Sequence, residues 1–253
     1  MPNIRFCVII SSDMLELYVT ETEKNTGKIV LSAGLAGTMQ ALGYCSTLYK
    51  PIQTGALVQK NGLLKSGDLE FMKYVDSYME TYSTYMFKSS SSPVIAGALE
   101  GVEIDFDLIC KDYSLFYKNY ECIVTDGTYG LSTPITRKFT ETDLIKRMGL
   151  PVLLVAPVES ASINNTIMSI QQAQNSSLNF RGTVLSTTDG MCDEESITSR
   201  LIEEYTGTKI CGIFNKLKDD MEFEPDDIIA NIITDVDIQK IFDVKIEKLS
   251  IKE

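Results

Sequence analysis

The chain has no histidine and no tryptophan among its 253 residues. Without an imidazole, every mechanism that needs a histidine base, acid or metal ligand is excluded. Positive charge is scarce as well: 23 Lys plus Arg stand against 35 Asp plus Glu, a formal net charge of −12. That balance disfavours a phosphate-backbone partner, so no nucleic acid is expected. Long apolar runs are missing. The longest, residues 150–158, carries two prolines and falls far short of the ~18 residues of a membrane span. Only Arg5 precedes the first apolar run, a pattern that does not read as a signal peptide. The six cysteines (Cys7, Cys45, Cys110, Cys122, Cys192 and Cys211) form no C-x-x-C pair, which argues against zinc and against a disulfide-exchange centre. Most sit in strand-like runs, where a free thiol packs as a small hydrophobe. The expectation is a reduced, acidic, cytoplasmic protein with no membrane partner.

At 44% hydrophobic and 23% charged, the chain can bury a real core, and its length suits one α/β unit spanning residues 1–253. Short β-branched runs alternate with longer helical patterns, which predicts a doubly wound, mainly parallel sheet with helices on both faces. Strands are expected at Phe6–Ile10, Leu17–Thr20, Tyr44–Tyr49, Cys122–Thr125, Val152–Ala156, Thr183–Ser186 and Lys209–Ile213. Val152–Ala156 is apolar on both faces, as a central strand should be. Helical patterns follow Gly27, Gly67, Phe139, Ser162 and Asp193, and Ser89–Pro93 marks a loop. Residues 217–253 form an acidic extension with 11 acids and 5 bases. In it, Glu224-Pro225-Asp226-Asp227 suits a helix start, and Ile228, Ile229, Ile232, Ile233 and Val236 make one apolar stripe. A surface helix packed on the domain is the expected reading, and an acidic partner-binding tail is the alternative.

The chemically informative stretch is Tyr18-Val19-Thr20-Glu21-Thr22-Glu23-Lys24-Asn25-Thr26-Gly27-Lys28-Ile29. A strand enters a loop that ends in Gly-Lys, and a helix follows. Backbone N–H groups at such a helix start, with a lysine beside them, cradle phosphate oxygens. By itself, Gly-Lys before a helix reads equally well as an ordinary helix start. The usual pattern ends in Lys-Ser/Thr because that hydroxyl ligates Mg²⁺, and here the position is Ile29.

Further blocks extend the pattern. They are Tyr49-Lys50-Pro51-Ile52-Gln53-Thr54-Gly55, Ser66-Gly67-Asp68, Ser92-Pro93-Val94-Ile95-Ala96, Val124-Thr125-Asp126-Gly127-Thr128-Tyr129-Gly130, Thr133-Pro134-Ile135, Leu150–Val155 and Ser162-Ile163-Asn164-Asn165. In this order and spacing, over about residues 15–216, they resemble the dethiobiotin synthetase family. The resemblance implies a P-loop NTPase-like fold and a homodimer. It implies a ligase that forms dethiobiotin, a step of biotin biosynthesis, from 7,8-diaminopelargonic acid, CO₂ and ATP with Mg²⁺. It assigns Lys28 to the phosphates and Lys50 to the region between carbamate and γ-phosphate. Thr54 falls in the substrate pocket, and Asp68 and Asp126 fall at the Mg²⁺. Ser162, Ile163 and Asn164 correspond to the segment presented across the dimer to the substrate carboxylate. The nucleotide contacts implied are Glu23, Asn25, Thr26, Gly27, Lys28 and Ile29 in the loop, with Ser186 and Asn215 at the base.

Four positions depart from the family pattern. Glu21 replaces a loop glycine and puts a negative charge near the phosphates, which Lys24 offsets in part. Ile29 lacks the hydroxyl for Mg²⁺. Ser186 stands in place of an asparagine that reads adenine, and Asn215 in place of a proline that packs on the base. Two readings follow: a working cyclo-ligase with relaxed nucleotide recognition, or a descendant that binds a ligand without Mg-ATP chemistry.

Overall fold

Apolar, β-branched runs buried on both faces suit the strands of a parallel sheet. The computed structural model describes residues 6–8, 14–187, 193–216 and 224–248. It begins with β1 (Phe6–Val8), β2 (Leu15–Glu21), α1 (Lys28–Ala41) and β3 (Ser46–Tyr49). Three short strands follow, β4 (Ile52–Gln53), β5 (Leu57–Val58) and β6 (Leu64–Lys65), then α2 (Gly67–Val75), β7 (Thr81–Tyr82) and β8 (Tyr85–Met86). Next come α3 (Pro93–Glu100), α4 (Phe106–Phe116), β9 (Cys122–Asp126), α5 (Glu141–Met148) and β10 (Val152–Pro157). The chain continues through α6 (Ile163–Asn175), β11 (Phe180–Thr187), α7 (Asp193–Thr206) and β12 (Ile210–Asn215). It reaches α8 (Pro225–Asp235), α9 (Ile238–Phe242) and β13 (Ile246–Lys248).

Seven strands form one sheet in the order β12-β11-β10-β2-β9-β3-β7, with every pairing parallel. Alternation along β2 serves the two faces. Leu15, Leu17 and Val19 join α1, α2 and α8 in one apolar cluster, and Tyr18 joins α4 and α5 in another. Helices therefore cover both faces, as the sequence pattern predicts. From β2 the chain crosses through α1 to β3, leaving β9 between them, while β10 lies on the other side of β2. The carboxyl ends of β2 and β9 thus open where connections diverge, the place at which open α/β sheets bind ligands.

Helix α1 is buried along most of its length and is narrow where α8 crosses it. A Cβ on Gly34 would come within 2.5 Å of Ile232 Cγ1, and one on Gly37 within 3.2 Å of Ile229. The isoleucine stripe of α8 lies in this notch: Ile228 and Ile232 are buried, and Ile229 and Ile233 pack half-buried on the same cluster.

The structure differs from the sequence reading at several points. Phe6–Val8 does not extend the main sheet; it pairs antiparallel with β13 in a separate ribbon, and positions 9 and 10 of that expected strand lie outside the described residues. The serine-rich loop ends at Pro93, which opens α3, because proline suits a first helical turn. Helix α4 also went unread, although Ile109, Tyr113 and Phe116 recur at helical spacing on its buried side. Cys122 and Cys211 are buried as expected, whereas Cys45 is exposed in the turn before β3. Among the described residues no helix is long and apolar enough to cross a membrane.

The α1–α8 notch yields a prediction. Gly34→Val forces overpacking against Ile232 and is expected to cost about 2 kcal/mol, read as a lower urea midpoint with an unchanged slope. An unshifted midpoint contradicts the close crossing.

Candidate active site

Two ammonium groups and two carboxylates from four separate segments meet at the carboxyl edge of the sheet. Asp126 ends β9 and is wholly buried. Its Oδ1 accepts from Lys28 Nζ and from Ser32 Oγ, each at 2.8 Å. Its Oδ2 accepts from Lys50 Nζ at 2.5 Å. Lys50 also pairs with Asp68 Oδ2 at 2.8 Å, and the Gly127 carbonyl accepts from Lys28 at 2.9 Å and Lys50 at 3.4 Å. Burial works against the charge on Asp126, but Lys28 and Lys50 outweigh it and hold its carboxyl down to about 2. On Lys50, burial again opposes the charge, while Asp126 and then Asp68 outweigh it and push its pKa well up. Both groups are therefore ionised at neutral pH.

Residues 22–27 connect β2 to α1. Asn25 and Gly27 adopt left-handed φ values of 65° and 80°. Space also demands glycine at 27, since a Cβ there would lie 2.8 Å from Lys216 Cβ and 3.3 Å from Phe214 Cζ. Gly27 supplies no side-chain cap to α1, and the first turn carries no acid. The leading N–H groups of the helix, which have no partner inside it, are left suited to an anion. They border a cleft of about 1200 Å³ lined by Asn25, Gly27, Lys28, Ile29, Lys50 and Asp68 among others.

Glu21, the last residue of β2, also lines this cleft and is 6% exposed. Its Oε2 accepts from the buried Thr26 hydroxyl at 2.6 Å. Burial raises its pKa, with Lys28 and the Thr26 bond opposing. The departure at position 21 therefore puts a carboxylate on the inner wall of the loop.

The other sequence candidates fall into two groups. Thr54 lines the cleft, and its Oγ1 shares a 2.8 Å hydrogen bond with the Tyr129 hydroxyl. Glu23 turns out of the cleft: its carboxylate accepts from Ser162 Oγ and from Asn165 Nδ2, each at 2.7 Å. The hydroxyl of Ser162 is thus engaged at the start of α6, beside half-buried Ile163 and exposed Asn164. Ser186 is buried off the cleft with its hydroxyl 3.5 Å from the Ala156 carbonyl, and Asn215 is exposed at the end of β12.

Sequence reading missed Glu141. This first residue of α5 is fully buried and accepts from Thr20 Oγ1 at 3.1 Å, Thr128 N at 2.9 Å, Gly130 N at 3.2 Å and the Thr128 hydroxyl. It clasps the loop after β9, whose Gly127 carbonyl the lysines share. Gly127 has no room for a side chain, with Glu141 Oε1 at 2.3 Å and Tyr18 Cε1 at 2.5 Å from an added Cβ. A dyad of glycines around Thr128-Tyr129 was the available signal; an acid in a first helical turn was not.

Comparisons with known proteins bear on the family and the fold. A family model described as an AAA domain matches residues 16–222. The chain is similar to the ATP-dependent dethiobiotin synthetase BioD of Clostridium novyi (strain NT), at 26% identity over 89% of this chain and 96% of that protein. A second relative of the same name, from Endomicrobium trichonymphae, is 30% identical over 67% of this chain and 78% of its own length. Among solved structures, a ParA family ATPase from Chlorobium tepidum TLS superposes with a TM-score of 0.55 at 10% identity, covering 88% of this chain and 93% of that one. The MinC:MinD cell division protein complex of Aquifex aeolicus gives 0.55 at 15% identity over 94% and 98%. At such identities the structural likeness speaks for the fold, which is P-loop NTPase-like.

Glu21 carries a testable pH dependence. A carboxyl whose pKa is raised by folding costs stability when charged; the cost is present above the folded pKa and vanishes below the unfolded value of ~4.3. Glu21→Gln is expected to raise the melting temperature at pH 7.5 by roughly 2–4 °C per kcal/mol relieved, with the gain shrinking towards pH 4. A gain that ignores pH contradicts the assignment.

Proposed function

We propose, from the premise that the chain belongs to the AAA-domain family matched over residues 16–222 and within it to the dethiobiotin synthetases, that it is an ATP-dependent ligase closing a cyclic urea on 7,8-diaminopelargonic acid. The observation that carries this reading is the convergence of Lys28, Lys50 and Asp68, all lining one cleft, around Asp126 buried beneath it.

Phosphoryl transfer is mostly positioning plus cations facing developing charge, and it needs no histidine. In the proposed sequence one substrate amine adds to CO₂, forming an N–C bond and releasing a proton. A carbamate oxygen then attacks the γ-phosphorus of ATP, and the bond to the β–γ bridging oxygen breaks with departure of ADP. The second amine attacks the carbamoyl carbon and gives up a proton to solvent, the carbamoyl C–O bond breaks with departure of phosphate, and the ring closes. Lys28 and the α1 amides hold the β- and γ-oxygens. Lys50, fixed between Asp126 and Asp68, faces the charge shared by carbamate and γ-phosphate. Thr54, oriented by Tyr129, borders the diamine.

Asp68 and Asp126 flank Lys50, and both oxygens of Asp126 already accept from Lys28, Ser32 and Lys50, so a hard divalent cation completed by phosphate oxygens and water would have to displace an ammonium group from these carboxylates. They would hold Mg²⁺, which supplies charge neutralisation at the phosphates when bound. Ile29 contributes no oxygen to that set. The start of α6, where Glu23 engages Ser162 and Asn165 and leaves Asn164 exposed, would be presented across a dimer to the substrate carboxylate, and the protein is proposed to act as a homodimer in the cytoplasm.

Two measurements test the reading. Lys50→Met keeps the buried stem and is expected to lower dethiobiotin formation by at least about a hundredfold while ATP still binds; unchanged turnover refutes the role of Lys50. Ile29→Thr restores a hydroxyl at the helix start and is expected to shift the magnesium titration of product formation to lower concentration. An identical titration curve rejects the metal position.

A further inference from the structure

The cleft holds a charge pattern that the scheme above leaves unused. In a chain of net charge −12, the charged side chains lining it are four lysines, Lys24, Lys28, Lys50 and Lys216, and two acids, Glu21 and Asp68. Asp126 lies buried beneath them. Counting only Lys28 and Lys50 against Glu21, Asp68 and Asp126 gives +2 − 3 = −1, a poor receptacle for a polyanion at contact distances. Lys24 and Lys216 change the sum to +4 − 3 = +1, with the 3.7 Å ion pair of Lys216 to Glu159 outside the lining left uncounted.

Both lysines are held in place by the fold. Lys24, in the loop itself, carries its Nζ 4.7 Å from the centroid of the Tyr129 ring, and the Tyr129 hydroxyl is tied to Thr54. A cation over an aromatic face is attracted without losing its charge to a carboxylate. Lys216 approaches from the end of β12. Its Cβ packs against Gly27, and its Nζ reaches the Asn25 carbonyl at 3.4 Å. The side chain is 19% exposed, and its carboxylate neighbour, Glu159 Oε1, stands at 3.7 Å. One ammonium thus belongs to the loop, and the other reaches the loop backbone from the end of β12.

Resting on the function proposed above, we infer that Lys24 and Lys216 are phosphate-binding residues that compensate for the carboxylate of Glu21 and set the affinity for the nucleoside triphosphate. The three positions form one electrostatic unit. Glu21 cancels a charge at the inner wall of the loop, and the two lysines restore it elsewhere on the lining of the same cleft. The affinity so gained depends on salt, because partly exposed ammonium groups are screened while the buried Lys28–Asp126 pair is not.

The test is calorimetric titration of the full-length protein with ATP, and separately with 7,8-diaminopelargonic acid, at low and high salt. Circular dichroism checks that each variant is folded. Lys24→Ala and Lys216→Ala are each expected to weaken ATP roughly fivefold to tenfold and to flatten its salt dependence. Glu21→Gln is expected to tighten ATP by a comparable factor, and adding Glu21→Gln to Lys216→Ala to return affinity towards the unmodified protein. If Lys28→Ala removes ATP binding while both outer lysine variants stay within about twofold of the unmodified protein, this inference falls and the proposed function stands. A Lys24→Ala variant that loses the diamine and keeps ATP also overturns it. An unmodified protein that takes no ATP, or one indifferent to Lys28→Ala, removes both readings together.

Discussion

A carboxylate with no exposure at all sits at the junction of three strands and two helices, and the rest of the site depends on how it is neutralised. An unpaired charge at Asp126 would cost several kcal/mol. Lys28, Lys50 and Ser32 offset that cost by donating to its two oxygens. The cations that suit phosphate chemistry are therefore the same groups that make the acid tolerable. Strand register brings them together: β9 pairs with β2 so that Asp126 faces Val19, and with β3 so that Thr125 faces Tyr49, one residue short of Lys50. Fold and site share one interaction.

Much of this is legible in the amino-acid sequence. Runs such as Val152–Ala156 and Cys122–Thr125 could hardly be anything but buried parallel strands, and both lie in the sheet. Gly27-Lys28, Lys50, Asp68 and Asp126 were readable through the resemblance to the dethiobiotin synthetases, since each taken alone reads as well as a helix start, a loop lysine, a helix cap or a turn. What escaped was decided by tertiary contact. Glu141 looks like any acid in a first helical turn, and only the amides of Thr128 and Gly130 reveal its burial. Lys216 is 189 positions from Gly27 along the chain, so no local pattern joins them. Glu23 was read with the loop, but Ser162 and Asn165 offer it two donors on another element. Strand β7 escaped for a simpler reason: two residues cannot show an alternation.

The charge of the chain acts on two length scales. Among the described acids, Glu21 and Asp68 line the cleft and Asp126 lies beneath it, and at physiological ionic strength charges beyond about 8 Å are largely screened. Inside the cleft the lysines stand at contact distance. A protein of net charge −12 can thus present a locally cationic pocket, with the global field contributing little to capture. The narrow crossing of α1 and α8 serves the same end mechanically, because it presses the helix that carries Lys28 against the sheet.

The clasp at Glu141 ties the maturation of the pocket to a helix that contributes no side chain to its wall. The turn after β9 hangs by amide and hydroxyl donors on one carboxylate, and the absence of a side chain at Gly127 leaves the two in direct contact. Without α5, that turn loses the acceptor shared by Thr128 and Gly130 and keeps the bonds at Gly127, from its N–H to the Val19 carbonyl and from Lys28 and Lys50 to its own carbonyl. Fraying of α5 in the native state would likewise release Thr128 and Gly130, so helix and pocket open and close as one cooperative unit. Assembly competence is written into the chain some fifteen positions downstream of the acid it serves.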